Sequence, residues 1–364
     1  MTLRIALIIP TMDRGGAEKQ LCLLAENLPR DQFEVHVILL TRDGPRSETL
    51  RAAGIPVTVI GKRFKADPAA LLRLRRALIG LKPDIVHTWL FAANSFGRAA
   101  ARWARVPRII ASERCVDPWK TDAHFWIDRR LARFTEAITT NSSGVQDFYD
   151  RHGIDANLFR IIPNGVEPRS AHSIDRDEAL SRLGVAADRK LILAVGRLWP
   201  QKRYRDLIWS GELIGTLRED TTLVIVGDGP QRGELLRHRD AVSVPQRVRF
   251  AGDRNDVAEL LPHADLFWIG SEYEGQSNAV IVAMQAGIPV VASDIPGNRD
   301  LVVANQTGRL VSLGDTADYA RQSHELLENP AEAKRLSAAA ARRIATEFTV
   351  EAMVQNHAEL YQRA

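Results

Sequence analysis

Leu191-Ile-Leu-Ala-Val-Gly-Arg-Leu-Trp-Pro-Gln-Lys-Arg-Tyr204 decides how this chain is read. Five consecutive apolar residues do not alternate between core and solvent, so they read as a strand covered on both faces, as in a parallel sheet. Gly196 then permits a sharp exit, and a short polar turn leads toward the next helical stretch. The same unit recurs along the chain. Residues 223–226, 248–250, 266–269 and 289–292 read as strands on the C-terminal side. Residues 5–9, 34–40, 57–60, 85–87, 109–112 and 137–140 do so toward the N-terminus. Helical apolar spacing falls between strands at residues 17–28, 68–81, 92–105, 126–134 and 177–183. Strict alternation of strand and helix predicts an α/β protein of Rossmann-like, doubly wound parallel sheets.

The alternation restarts once. Asn164-Gly165 is a turn signal and residues 168–173 are polar, so the chain divides into 1–165 and 166–349, with a last helix in 350–364. A length of 364 residues suits two cores. Two such domains on a short linker are expected to face each other across a cleft. Ligands of open α/β sheets bind beyond the carboxyl ends of the strands.

Composition narrows the class. Hydrophobic residues at 45% and charged residues at 26% describe an ordinary globular protein. No segment approaches the roughly 18 apolar residues of a membrane span, and the early apolar run is too short for a signal sequence. Cys22 and Cys115 have no metal-ligand spacing and read as reduced structural thiols of a cytoplasmic protein. Charge is uneven: 25 Lys and Arg stand against 17 Asp and Glu in residues 1–165, and 24 against 28 in the remainder. The densest basic cluster is Lys62, Arg63, Lys65, Arg73, Arg75 and Arg76, either a solvated face or a contact for an anionic partner. Nucleic acid is not expected, because aromatics are only 6% and no stacking or helix-turn-helix pattern accompanies the charge.

Four loops at strand ends hold the candidate chemistry. Pro10-Thr-Met-Asp-Arg-Gly-Gly-Ala-Glu18 places Gly15 and Gly16 before a helix, a tight turn or an anion-binding approach. After residues 191–195, Arg197 supplies a bidentate phosphate grip and Lys202 a mobile point charge, a pair suited to a diphosphate. Val226-Gly-Asp-Gly-Pro230 is another strand exit, read equally as a Gly-rich turn or a ligand contact. Ser271-Glu-Tyr-Glu-Gly-Gln-Ser-Asn-Ala-Val-Ile-Val-Ala-Met284 sets Glu274 and Gly275 just before a helix start near Ser277 or Asn278. Its N–H groups favour a phosphate or sugar oxygen, and Glu274 can accept from sugar hydroxyls.

Taken in order with Ile161-Ile-Pro-Asn-Gly165 and Ala286-Gly-Ile-Pro-Val290, these pieces resemble the retaining glycosyltransferases called family 4 over nearly the whole chain. The resemblance implies the glycosyltransferase-B fold, with two Rossmann-like domains facing each other across a cleft and the last helix crossing back to the first. It implies sugar transfer from a nucleotide-diphosphate donor, a uridine diphosphate by weight of the family, with retention of configuration. The acceptor would be a saccharide or lipid-linked hydroxyl in polysaccharide or glycolipid synthesis, with no metal or other cofactor. Arg197 and Lys202 would hold the diphosphate and Glu274 the sugar. Gly16, Gly196, Gly275, Ser277, Asn278 and Ala279 would line the donor, and Gly15 would lie toward the acceptor. The basic half is compatible with peripheral contact at the inner face of a membrane.

Two departures stand out. The family's second glutamate, eight residues after the first and a ribose ligand, is Val282 here, which predicts a weakened donor grip unless Glu272 or Gln285 substitutes. A family His is also missing. The corresponding loop is Ala111-Ser-Glu-Arg-Cys-Val-Asp117, where Glu113 and Arg114 are candidates to meet the acceptor. His87, read as a strand end, either faces the acceptor or is simply hydrogen-bonded in place. A nucleotide-sugar epimerase of the same fold, or a binding protein with weak transfer activity, are the competing readings.

Overall fold

The computed structural model describes residues 2–168 and 174–363, which divide into two compact units. One comprises residues 1–165 with 349–364, the other residues 166–348. Of the polar stretch expected at 168–173, everything after Pro168 lies outside the described residues.

The first unit runs β1 (Leu3–Ile9), α1 (Gly16–Asn27), β2 (Phe33–Leu39), α2 (Ser47–Ala52), β3 (Val57–Val59), α3 (Pro68–Leu81), β4 (Ile85–Trp89), α4 (Phe91–Ala104), β5 (Arg108–Glu113), α5 (Asp122–Ala132), β6 (Ala137–Thr140), α6 (Ser143–Arg151) and β7 (Phe159–Ile161). Its sheet is parallel throughout in the order β3-β2-β1-β4-β5-β6-β7. In the second unit come α7 (Arg176–Arg182), β8 (Lys190–Val195), α8 (Tyr204–Leu217), β9 (Thr221–Val226), α9 (Arg232–Asp240), β10 (Val248–Gly252), α10 (Val257–Leu260), β11 (Leu266–Ile269), α11 (Asn278–Gln285), β12 (Val290–Ser293), α12 (Pro296–Arg299), β13 (Arg309–Val311), α13 (Thr316–Glu328) and α14 (Pro330–Glu347). Its parallel sheet is ordered β10-β9-β8-β11-β12-β13. The final helix, α15 (Val350–Gln362), belongs to the first unit.

Local chemistry starts these elements. Asp67 caps α3 by accepting from Ala70 N at 2.9 Å, and Pro68 occupies the first helical position where no N–H is needed. Thr349 caps α15 in the same way. The central strands are buried on both faces, as their unbroken apolar runs require. In the first unit α15 lays Met353, Val354, Leu360 and Tyr361 into the core shared with α1, β1 and β2. Arg108 fastens its end by donating to Leu360 O at 3.0 Å. Gln20, inside α1, grips Gly165 twice: Nε2 donates to the Gly165 carbonyl at 2.9 Å and Oε1 accepts from its N–H at 2.8 Å. A Cβ on Gly165 would fall 2.8 Å from Val350 Cα, so the Asn164-Gly165 turn needs glycine where α15 begins.

Candidate active site

In the second unit the strand order reverses between β8 and β11, which lie side by side. A doubly wound sheet opens a crevice at the carboxyl ends of those two strands, and their loops are the ones that carry Arg197, Lys202 and Glu274. The β8 loop makes a short 3-10 turn over Pro200–Lys202, closed by Arg203 in the left-handed region (φ 50°). Lys202 Nζ forms an ion pair with Glu274 Oε1, and Ser271 Oγ donates to the same oxygen at 2.8 Å. Around this pair the two loops are tied together. Gln201 Nε2 donates to Tyr273 O at 2.8 Å, and Glu272 N donates to Gln201 O at 2.8 Å. Ser293 Oγ donates to Ser271 O at 2.6 Å, and Asn298 Nδ2 donates to Ser293 O at 2.9 Å. Tyr204 Oη reaches back to Gly196 O at 3.0 Å; burial first, then the charge of Glu274, pushes its hydroxyl above the usual range.

Arg197 is exposed and has no side-chain partner among the described residues. One cation is therefore held against a carboxylate while the other stands open at the same sheet edge. Ser277 is the N-cap of α11 and makes no side-chain cap, so the first turn of the helix, with Asn278 and Ala279, begins just after Glu274 in the chain. Gly275 is buried, and a Cβ on Gly297 would fall 2.0 Å from its carbonyl oxygen, so this loop packs on α12 at backbone contact.

Val226-Gly-Asp-Gly-Pro230 resolves as a packing element. A Cβ on Gly227 (φ 140°) would fall 2.0 Å from Gly196 O, and one on Gly229 would fall 2.7 Å from Leu198 O. Leu198 N donates to Asp228 O at 3.0 Å. The β9 loop thus supports the Arg197 loop from behind. Val282 shares the half-buried face of α11 with Ala279 and Ala286 against the core. Of its two candidate substitutes, Gln285 donates to Glu167 O at 2.7 Å and Glu272 is exposed.

In the first unit the switch point lies between β1 and β4. Gly15 caps α1, Gly16 is exposed, and the Glu18 carboxylate folds back so closely that a Cβ on Gly15 would touch it. His87 is not at an open strand end: β4 continues to Trp89 and the imidazole is fully buried. Its Nδ1 is 2.7 Å from Tyr361 Oη and its Nε2 is 3.1 Å from Thr139 Oγ1. Both nitrogens are engaged, and burial holds the ring well below its ordinary range, so it is a core histidine and the acceptor reading is corrected.

Glu113 and Arg114 point to opposite faces of the sheet. Glu113 joins a buried network in which Lys120 Nζ lies 2.9 Å from Asp128, 3.5 Å from Glu113 and 3.7 Å from Asp117. Tyr149 Oη lies 2.9 Å from both Glu113 and Asp117, and Arg98 pairs with Asp128 at 2.7 Å. Burial pushes Glu113 up to about 6 against the pull of Lys120. Sequence reasoning missed the network because its members are scattered from residue 98 to 149. Arg114 donates through Nη2 to Asn164 Oδ1 and lies 4.9 Å over the Trp89 ring.

Among the described residues no cluster of three or more His, Cys, Asp or Glu could hold a metal ion. No helix among them is long and apolar enough to cross a membrane.

Residues 14–170 match the family model described as Glycosyltransferase Family 4, and residues 175–343 the model described as Glycosyl transferases group 1. The chain belongs to this family and is a glycosyltransferase of the glycosyltransferase-B fold. Among its relatives is the Escherichia coli UDP-Gal:alpha-D-GlcNAc-diphosphoundecaprenol alpha-1,3-galactosyltransferase, 29% identical over 310 residues, 81% of this chain and 80% of the relative. Another is the lipopolysaccharide core biosynthesis glycosyltransferase LpsD of Rhizobium meliloti, 25% identical over 96% of this chain and 95% of LpsD. The solved structure of Anabaena HepE in complex with UDP and glucose superposes with a TM-score of 0.89 over 100% of each chain, at 23% identity.

Proposed function

We infer that the chain transfers a sugar from a uridine diphosphate donor to a saccharide or lipid-linked acceptor hydroxyl, with retention of configuration. The observation that carries this reading is the Lys202–Glu274 ion pair beside exposed Arg197 at the switch point. When a donor binds, its diphosphate competes for Lys202, Arg197 supplies a second charge, and the start of α11 adds backbone N–H groups. This preorganised positive potential stabilises the leaving diphosphate. Glu274, released from Lys202, accepts hydrogen bonds from the sugar. For retention, the acceptor hydroxyl attacks the face the diphosphate leaves from, and a donor phosphate oxygen takes its proton. The uridine assignment draws on the donor named for the Escherichia coli relative and on the UDP bound to HepE. Assaying nucleoside diphosphate release from UDP-hexoses, with the anomeric configuration of the product read by NMR, tests it. Acceptor-dependent release with an inverted product, or no release, would contradict it.

Contact with a membrane surface is part of the same reading, and the first unit supports it more specifically than its charge balance does. α3 and α4 pack side by side and contain no acidic residue. Trp103, Trp126 and Phe134 are about half exposed on α4, α5 and the turn after α5. Each ring carries an arginine: Arg75 over Trp103 at 4.6 Å, Arg130 over Trp126 at 5.2 Å and Arg102 over Phe134 at 5.0 Å. Aromatic rings beside arginines suit the headgroup level of an anionic bilayer.

A further inference from the structure

The second unit has a cationic cavity at the sheet edge opposite Arg197 and Lys202. β10, β9 and β8 lie side by side and parallel, so their amino ends share one edge. Arg189 immediately precedes β8, Thr222 is the second residue of β9, and Arg247 and Arg249 flank the first residue of β10. Arg249 pairs in register with Val224, two residues beyond Thr222, so it shares a sheet face with Thr222. These four line an open cavity of about 420 Å³, together with Gln246 and an apolar wall that includes Val185 and Val244. Two of the arginines are seated on glycines. A Cβ on Gly184 (φ 66°) would fall 2.7 Å from Arg249 Nη2, and one on Gly215 would fall 2.5 Å from Arg247 Nη1. Gly215 lies in the last turn of α8, where glycine weakens a helix, and Arg247 fills the space its missing side chain leaves.

Charge says what the cavity takes. No acidic residue lines it, although acids outnumber bases by 28 to 24 in residues 166–364. None of the three arginines forms an ion pair among the described residues. Arg189 is held by donating through Nε to Thr222 Oγ1 at 3.1 Å and through Nη2 to Thr221 O, and Arg247 by donating through Nη1 to Gly215 O at 2.6 Å. Both are thus fixed by uncharged acceptors, with full positive charge and further N–H donors left over. Like charges gathered around one cavity repel, and an anion there reverses the sign of that term. Guanidinium forks match phosphate oxygens, three of them call for more than one negative charge, and the apolar wall suits the organic body of a small molecule. An extended anionic surface fits less well, because Asp188 adjoins Arg189 and Glu212 holds Ser243 N at 3.1 Å, next to Val244.

We propose that this cavity binds a small soluble phosphorylated compound carrying two or more clustered negative charges, at a site separate from the one that holds Arg197, Lys202 and Glu274. The proposal does not rest on the transferase reading. Calorimetric titration with inorganic tripolyphosphate at fixed ionic strength tests it, using Arg197→Ala/Lys202→Ala as the parent protein so that the carboxyl edge cannot supply the binding. The parent binds one tripolyphosphate per chain saturably. Adding Arg249→Gln weakens that binding about tenfold, as loss of a charge-assisted contact requires, and Arg249→Lys keeps part of it. Arg249 makes no hydrogen bond or ion pair among the described residues, so its replacement does not threaten the fold; an unchanged unfolding midpoint checks this. Absence of saturable binding to the parent overturns the proposal, and so does equal affinity of the Arg249→Gln protein. Flotation with phosphatidylglycerol vesicles that depends on Arg249, with no binding of tripolyphosphate, makes the anion a lipid headgroup and overturns the soluble ligand.

Discussion

Lys202 Nζ and the Glu274 carboxylate, 72 residues apart in sequence, form an ion pair where the loops of β8 and β11 meet. The pair is partly buried and reinforced from Ser271, so its members are prepositioned before any donor arrives. Lys202→Ala is expected to lower kcat/KM by about 10²–10³-fold, the cost typical of one preorganised group facing developing charge. Glu274→Gln should fall in the same range, and the double variant should cost less than the product of the two, because the residues share one contact. Steady-state kinetics on the four proteins checks this; strictly multiplicative effects would show that the residues act separately.

Val282 occupies a half-buried position on α11, packed against the core with Ala279 and Ala286. Val282→Glu should lower donor KM by roughly 10- to 150-fold, the worth of about 1.5–3 kcal/mol for a charged hydrogen bond. Donor saturation curves read it directly, and an unchanged KM would show that the ribose is held by other groups.

Acid stability should depend on the histidines under α15. Burial lowers His357 to about 4 from its usual 6.5, and His87 is lowered as well. The fold keeps His357 neutral, whereas the unfolded chain takes up a proton below 6.5. Stability is therefore lost as pH falls from about 6.5 to about 4, by about 3 kcal/mol for His357. Glu113, raised to about 6, works the other way: it favours the fold when protonated and gives up that contribution as pH rises from about 4.5 to 6. Unfolding midpoints of wild type and His357→Phe across this range separate the two, and the variant should show the shallower acid decline.

The arginine-covered rings of α4, α5 and the turn after α5 predict binding to vesicles containing phosphatidylglycerol at low salt and not to neutral vesicles. Replacing Trp103 and Phe134 by Ala should weaken flotation without changing turnover of a soluble donor. Equal flotation of the variant would move the contact elsewhere, and no flotation of wild type would remove it.

Much of the candidate site is legible in the sequence, and the reason is local. A buried strand, a glycine exit and a cation lie within a dozen residues, as do Glu274, Gly275 and the start of α11. What remained hidden depends on pairs distant in sequence. Nothing near Gln20 announces that it holds both backbone groups of Gly165. The glycines of Val226-Gly-Asp-Gly-Pro230 looked equally fit for a ligand until their contact with Gly196 and Leu198 appeared. His87 reads as a strand end in the sequence, yet pairing with β5 carries the strand on to Trp89. β7, three residues long, and α6 escaped periodicity altogether.

If Arg197 and Lys202 together hold a donor diphosphate, removing both cations weakens nucleotide binding. Calorimetric titration of wild type and Arg197→Ala/Lys202→Ala with UDP tests it most directly. Loss of two charge-assisted contacts predicts at least about 100-fold weaker binding by the double variant. Equal affinity of the two proteins for UDP would contradict it.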